Sequence, residues 1–127
     1  MGRSSRIAGR LWYFPDGYLP EKGGGGKMEA HEALMLLNVT DQSADVKLDF
    51  YFEDRAPVKD IPVIVGGERV ICLRLDNPAC IGGLRLAPLT QYSIRVRSSV
   101  PIVAQFGRLD TTQANMAYYC APGLWEE

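Results

Sequence analysis

The chain contains one histidine, three cysteines and very little that reads as helix. With a single histidine, any imidazole-based triad or metal site would rest on His31 alone. Cys72, Cys80 and Cys120 are odd in number and form no Cys-x-x-Cys pair. That excludes a disulfide framework and a zinc site, fits a reducing compartment, and leaves them expected as small buried hydrophobes. No long hydrophobic run exists: the longest, Ala33 to Leu37, falls far short of the roughly 20 residues that cross a bilayer. Residues 1–10 carry early arginines without an apolar stretch behind them, so no signal peptide is read there. The expectation is a cytoplasmic protein without membrane insertion. Charge is also nearly balanced, with 14 basic and 15 acidic residues. This argues against a nucleic-acid binder driven by phosphate neutralisation.

What the sequence does have is a period of two. Val46, Leu48, Phe50 and Phe52 alternate with Lys47, Asp49, Tyr51 and Glu53, the pattern of a half-buried antiparallel strand. Gln91 to Arg97 repeats it, with Tyr92, Ile94 and Val96 inward and Ser93, Arg95 and Arg97 outward. Shorter strand-like runs are Leu11 to Phe14, Leu34 to Val39, Val63 to Val65, Val70 to Leu75, Ile102 to Phe106 and Met116 to Cys120. Turn signals separate them at Pro15-Asp16-Gly17, Thr40 to Ser43, Gly66-Gly67, Asp76-Asn77-Pro78 and Gly82-Gly83. Glycines 23–26 read as a flexible loop. About eight short strands in 127 residues indicate one all-β domain, a sandwich or small barrel. Residues 1–10 form an arm, 11–120 the domain and 121–127 a C-terminal tail.

Enzyme motifs fail on inspection. Gly26-Lys27 follows a glycine run, but Met28 replaces the Mg²⁺-holding Ser/Thr and Glu21 the leading Gly of a phosphate loop. His31-Glu32 opens like a zinc-protease helix, yet position 35 is Met. No Gly-x-Ser-x-Gly elbow is present. The reading is a non-enzymatic binding module without cofactor or metal.

Three clusters remain. Trp12 with Asp16-Gly17-Tyr18-Leu19-Pro20 is either core or an aromatic platform beside a turn carboxylate, suited to a small polar ligand such as a sugar. His31, Glu32, Asn38, Gln105, Arg108 and Asp110 lie in or beside apolar strands and need partners, from the protein or from a ligand. Arg95 and Arg97 share an outward face, either solvated or a docking stripe for an acidic partner or nucleic acid.

Taken in order, the motifs resemble the sensory rhodopsin transducers. Trp12 and Asp16 to Pro20 look like that family's first strand and turn. Ala30-His31-Glu32 through Leu36-Leu37-Asn38, then Tyr51 to Asp54 with Pro57, are similar to its next two segments. Ser98 to Val103, Gln105, Arg108-Leu109-Asp110 and Gln113 follow. The resemblance implies an antiparallel β-sandwich of jelly-roll character that assembles as a homotetramer. It further implies a sensory or signalling role, with a membrane photoreceptor or another signalling protein as partner. The ligand set it implies is Trp12, His31, Glu32, Asn38, Arg108 and Asp110, around a small polar metabolite or sugar. The alternative is a docking module that relays a receptor signal without a small ligand.

Overall fold

The computed structural model describes residues 8–22, 29–111 and 117–126. The chain forms β1 (Gly9–Tyr18), β2 (His31–Asn38), β3 (Ala44–Phe52), β4 (Val58–Val65), β5 (Arg69–Arg74), β6 (Gln91–Asp110), β7 (Ala117–Pro122) and β8 (Leu124–Glu126). A 3-10 helix, Pro78–Ile81, precedes β6, capped by the Asn77 side chain and anchored by buried Ile81. The Gly23–Gly26 loop, Gln113 and Met116 lie outside the described residues.

β6 organises the molecule. Its first half runs between β1 and β3, where Arg95 faces Tyr13 on one side and Asp49 on the other. Its second half runs between β2 and β7, where Arg108 faces Glu32 and Tyr119. The partners change around Pro101, which has no N–H to give a ladder and so suits a point where one set of hydrogen bonds stops and another begins. Two separate strands were expected here, yet the alternation runs straight through. Tyr92, Ile94, Val96, Ile102, Ala104 and Phe106 are all buried on one side of a continuous 20-residue strand.

One ladder therefore has the order β4-β3-β6-β1-β8, and the other is β5-β2-β6-β7. Every pairing among the described residues is antiparallel. Leu34 and Leu36 of β2 join Val46, Leu48 and Phe50 of β3 in a single core with the inward residues of β6. Fully burying such a side chain stabilises by about 1.5–3 kcal/mol, and this shared core makes the two ladders one domain. The all-β, antiparallel, single-domain expectation holds. The pairing is that of an open eight-stranded sheet and does not display jelly-roll connectivity.

Several local readings change. Pro15-Asp16-Gly17 is a register shift inside β1 rather than its end, with the Pro15 carbonyl accepting from Ser93 Oγ and Gln91 Nε2. Leu37 is exposed and Met35 half-buried on the outward parity of β2, so this apolar strand is fully covered on its inward face and only in part, at Ala33, on the other. Cys72 and Cys120 are exposed and Cys80 half-buried, all as free thiols. They depart from the buried expectation because Cys72 and Cys120 fall on outward positions of β5 and β7. Residues 121–126, expected as a tail, complete β7 and pair through β8 with Leu11, Trp12 and Tyr13. No helix among the described residues is long and apolar enough to cross a membrane.

Candidate functional site

Glu32 is the second residue of β2 and shares the inward parity of Leu34 and Leu36, so its carboxylate enters the interior completely. An unpaired charge there would cost several kcal/mol. The fold supplies donors from three directions. The Tyr18 amide of β1 donates to both oxygens at 3.2 and 2.9 Å, and the Tyr92 hydroxyl of β6 donates at 2.5 Å. Arg108 Nε donates at 2.7 Å from directly across the ladder. Burial, then the adjacent Glu32 charge, push the Tyr92 hydroxyl far above the usual phenol range, so it stays a donor. Burial works against the Arg108 charge, but the Glu32 bond and charge hold its pKa above the ordinary value.

Outward from this pair the network reaches the surface. Arg108 Nη2 donates to the Asp16 carbonyl at 3.3 Å and lies 3.8 Å from its carboxylate. The Arg108 guanidinium sits 5.0 Å over the Tyr119 ring, a cation–π contact. Asp16 also accepts from Gln91 at 3.2 Å and from the Tyr119 hydroxyl at 3.4 Å. Glu32, Arg108 and Tyr119 stand side by side on β2, β6 and β7, and the β1 register shift brings Asp16 to meet them.

A cleft of about 170 Å³ opens beside this network. Tyr13, Phe14, Pro15 and Asp16 of β1 form one wall, Phe106 part of the floor, and Tyr119 with Ala121 to Leu124 the other wall. Asp16 is its one charged lining residue among those described.

The residues singled out from sequence do not surround one cavity. Trp12 is 3% exposed, shares its indole N–H between the Gly9 and Ile102 carbonyls at 3.1 Å each, and packs on Phe14 and Trp125. It is a core residue, six positions before Tyr18 and so about 20 Å along the strand from the Glu32 level. Asn38 is equally far along β2. Its amide donates to the Gln42, Val65 and Gly66 carbonyls and its oxygen accepts from Thr40, which fastens the β2–β3 turn to the end of β4. His31 is half-buried, its Nδ1 within 2.9 Å of the Glu29 carbonyl. Asp110 ends β6 opposite Ala117, and Gln105 is exposed. Glu32 and Arg108 do meet. Their partners Tyr92 and Tyr119 were missed, because Tyr92 reads as one more inward residue and Tyr119 as one more position of the short strand-like run Met116 to Cys120. Gly17 was the available signal: a Cβ there would overlap the Tyr92 ring, so the glycine and the tyrosine belong together.

Arg95 and Arg97 are not a free basic stripe. Both bond the fully buried Asp49 carboxylate, at 2.8 and 2.7 Å, and Arg97 also pairs with Asp60. Burial alone would raise the Asp49 pKa, but hydrogen bonds from Arg97, the Asp60 amide and Arg95 hold it down at about 2.

Comparison with known proteins agrees with this architecture. The family model of the Anabaena sensory rhodopsin transducer matches residues 7–124. The crystal structure of Thermotoga maritima 1070 is similar at a TM-score of 0.83 and 35% identity, over 96% of this chain and 98% of that one. The Anabaena sensory rhodopsin transducer is similar at a TM-score of 0.70 and 30% identity, over 85% of this chain and 94% of that one. No curated protein sequence matches. Sequence, fold and family model converge: the chain belongs to the Anabaena sensory rhodopsin transducer family.

Proposed function

We propose that the protein is a non-enzymatic signalling module whose responsive element is the Glu32–Arg108–Asp16–Tyr119 network with its adjoining cleft. The observation that carries this reading is a buried ion pair whose guanidinium contacts Asp16 and Tyr119, two residues that line an open cleft. A molecule settling against Asp16 or Tyr119 would perturb groups that join β1, β2, β6 and β7. It shifts the protein between states only through different affinities for them. The ligand is small and carries at least one polar group, with sugars and sugar acids among the classes to test. Glu32 and Arg108 act from inside the network and His31 and Asp110 flank it, while Trp12 and Asn38 hold the fold.

A thermal-shift screen against sugars, sugar acids, nucleotides and other small metabolites tests this. A ligand at 100 times its Kd adds ~2.7 kcal/mol, a shift of several degrees for a domain of this size. The expected hit weakens in Asp16→Asn. A flat screen on folded protein moves the function to protein docking, with a photoreceptor or another signalling protein as the upstream partner.

Self-association belongs to the same proposal. The outward row Cys72–Met35–Gln105–Pro122 crosses the second ladder, with Val70–Leu37–Val103 beside it. Neither row contains a charge, and Val70, Leu37 and nearby Tyr118 are 63%, 39% and 61% exposed. An uncharged sheet face of this kind suits contact between copies, in keeping with a homotetramer.

A further inference from the structure

Resting on the reading of the cleft as a ligand site, we propose that it selects a cation: a compact ring bearing one ammonium group. Size is the first argument. A cavity of 150 Å³ holds benzene, whereas drug-sized ligands occupy roughly 300–1,000 Å³, so about 170 Å³ takes one ring with a short substituent. The walls are the second. Tyr13, Phe14, Phe106, Pro122 and Leu124 offer apolar and aromatic surface for the body of such a molecule.

Charge is the third argument and sets the sign. Glu32 and Arg108 neutralise each other at 2.7 Å in the interior. Asp16, 3.8 Å from the same guanidinium, brings the three groups to a net charge of −1. That excess resides on a side chain 69% exposed at the cleft. The bonds Asp16 accepts are long, 3.2 and 3.4 Å, and a carboxylate has about four acceptor positions to fill. Arg108 is only 19% exposed and committed to Glu32, so an anion entering the cleft would meet Asp16 first. An ammonium group finds a carboxylate, with the Tyr13 ring in the cleft wall to receive it.

The test compares benzylamine, benzyl alcohol and benzoate, which share a ring and differ in charge, by chemical-shift titration of the full chain. Benzylamine is expected to bind about three- to fivefold more tightly than benzyl alcohol at low salt, the range of a partly exposed ion pair, with benzoate weakest. The preference disappears in Asp16→Asn, and Ala121→Leu, which fills the cleft, removes binding of all three. Stronger binding of benzoate, or an amine preference unchanged in Asp16→Asn, overturns the cation assignment while leaving the cleft as a ligand site. Binding unchanged in Ala121→Leu overturns its location. Silence of the cleft residues toward all three probes overturns the ligand reading with it.

Discussion

Glu32 and Asp49 are both fully buried carboxylates held by arginine and a backbone amide, and they differ in how exposed those arginines are. Glu32 is paired inside the fold, so removing its partner strands a charge. Arg108→Ala is expected to cost about 3–5 kcal/mol in urea denaturation, and Arg108→Lys to recover only part, because a lysine cannot reproduce the directed Nε bond. Asp49 lies under two half-exposed arginines. Its pKa falls from 3.8 to about 2 on folding, so its stabilisation is present above the unfolded value and disappears as pH drops through the folded one. The stability gap between wild type and Asp49→Asn should therefore narrow by about 2 kcal/mol between pH ~5 and pH ~2. A gap that stays constant across that window would show that Asp49 is not held as described.

At the scale of elements, β1 and β6 set the site. The β1 register shift turns the Tyr18 amide toward Glu32 while placing Asp16 at the cleft, and Gly17 is where the Tyr92 ring passes closest. Gly17→Ala should displace Tyr92 and cost about 1–3 kcal/mol, with a changed near-ultraviolet tyrosine signal. Core positions on these strands follow ordinary rules. Trp12→Ala should cost about 3–5 kcal/mol by leaving a cavity beside Trp125 and Phe14. Near the midpoint of its melt it loses cleft binding only in proportion to unfolding, the opposite of an aromatic wall in a ligand site.

For the whole molecule, the exposed uncharged rows of the second ladder are the feature a lone domain has least reason to carry. Leu37→Glu with Val70→Glu places charge at the middle and edge of that face without touching the core. Light scattering behind size exclusion should report wild type as an assembly and the variant as a smaller species, with an unaltered circular dichroism spectrum. Equal masses would remove this face from self-association. The Asp49–Arg95–Arg97–Asp60 network lies on the other ladder, and its charges already satisfy one another, which leaves that face a poor magnet for an acidic partner.

The inward residues of β3 and β6 and the all-β class were legible because period-two alternation is a local property, set by the pleat. The total of eight strands agrees only because the two runs merged in β6 are offset by β8 in the expected tail. The family likeness was legible too, through motifs in a fixed order. The joining of Gln91–Arg97 and Ile102–Phe106 into one strand was not, since Ser98 to Pro101 reads locally as a break and only the partners on either side keep the chain extended. Trp12 and Asn38 looked like Glu32 and Arg108 in the sequence, conspicuous residues in strand contexts. Tertiary structure separated them, because six residues of strand are about 20 Å and a side chain cannot bridge that. Tyr119 and Asp16 became neighbours of Arg108 only through pairing across β1, β6 and β7. By itself the sequence determined the all-β class and the inward alternation of the apolar residues of β3 and β6. Which buried charges meet was decided by register, a relation between strands that no single strand contains.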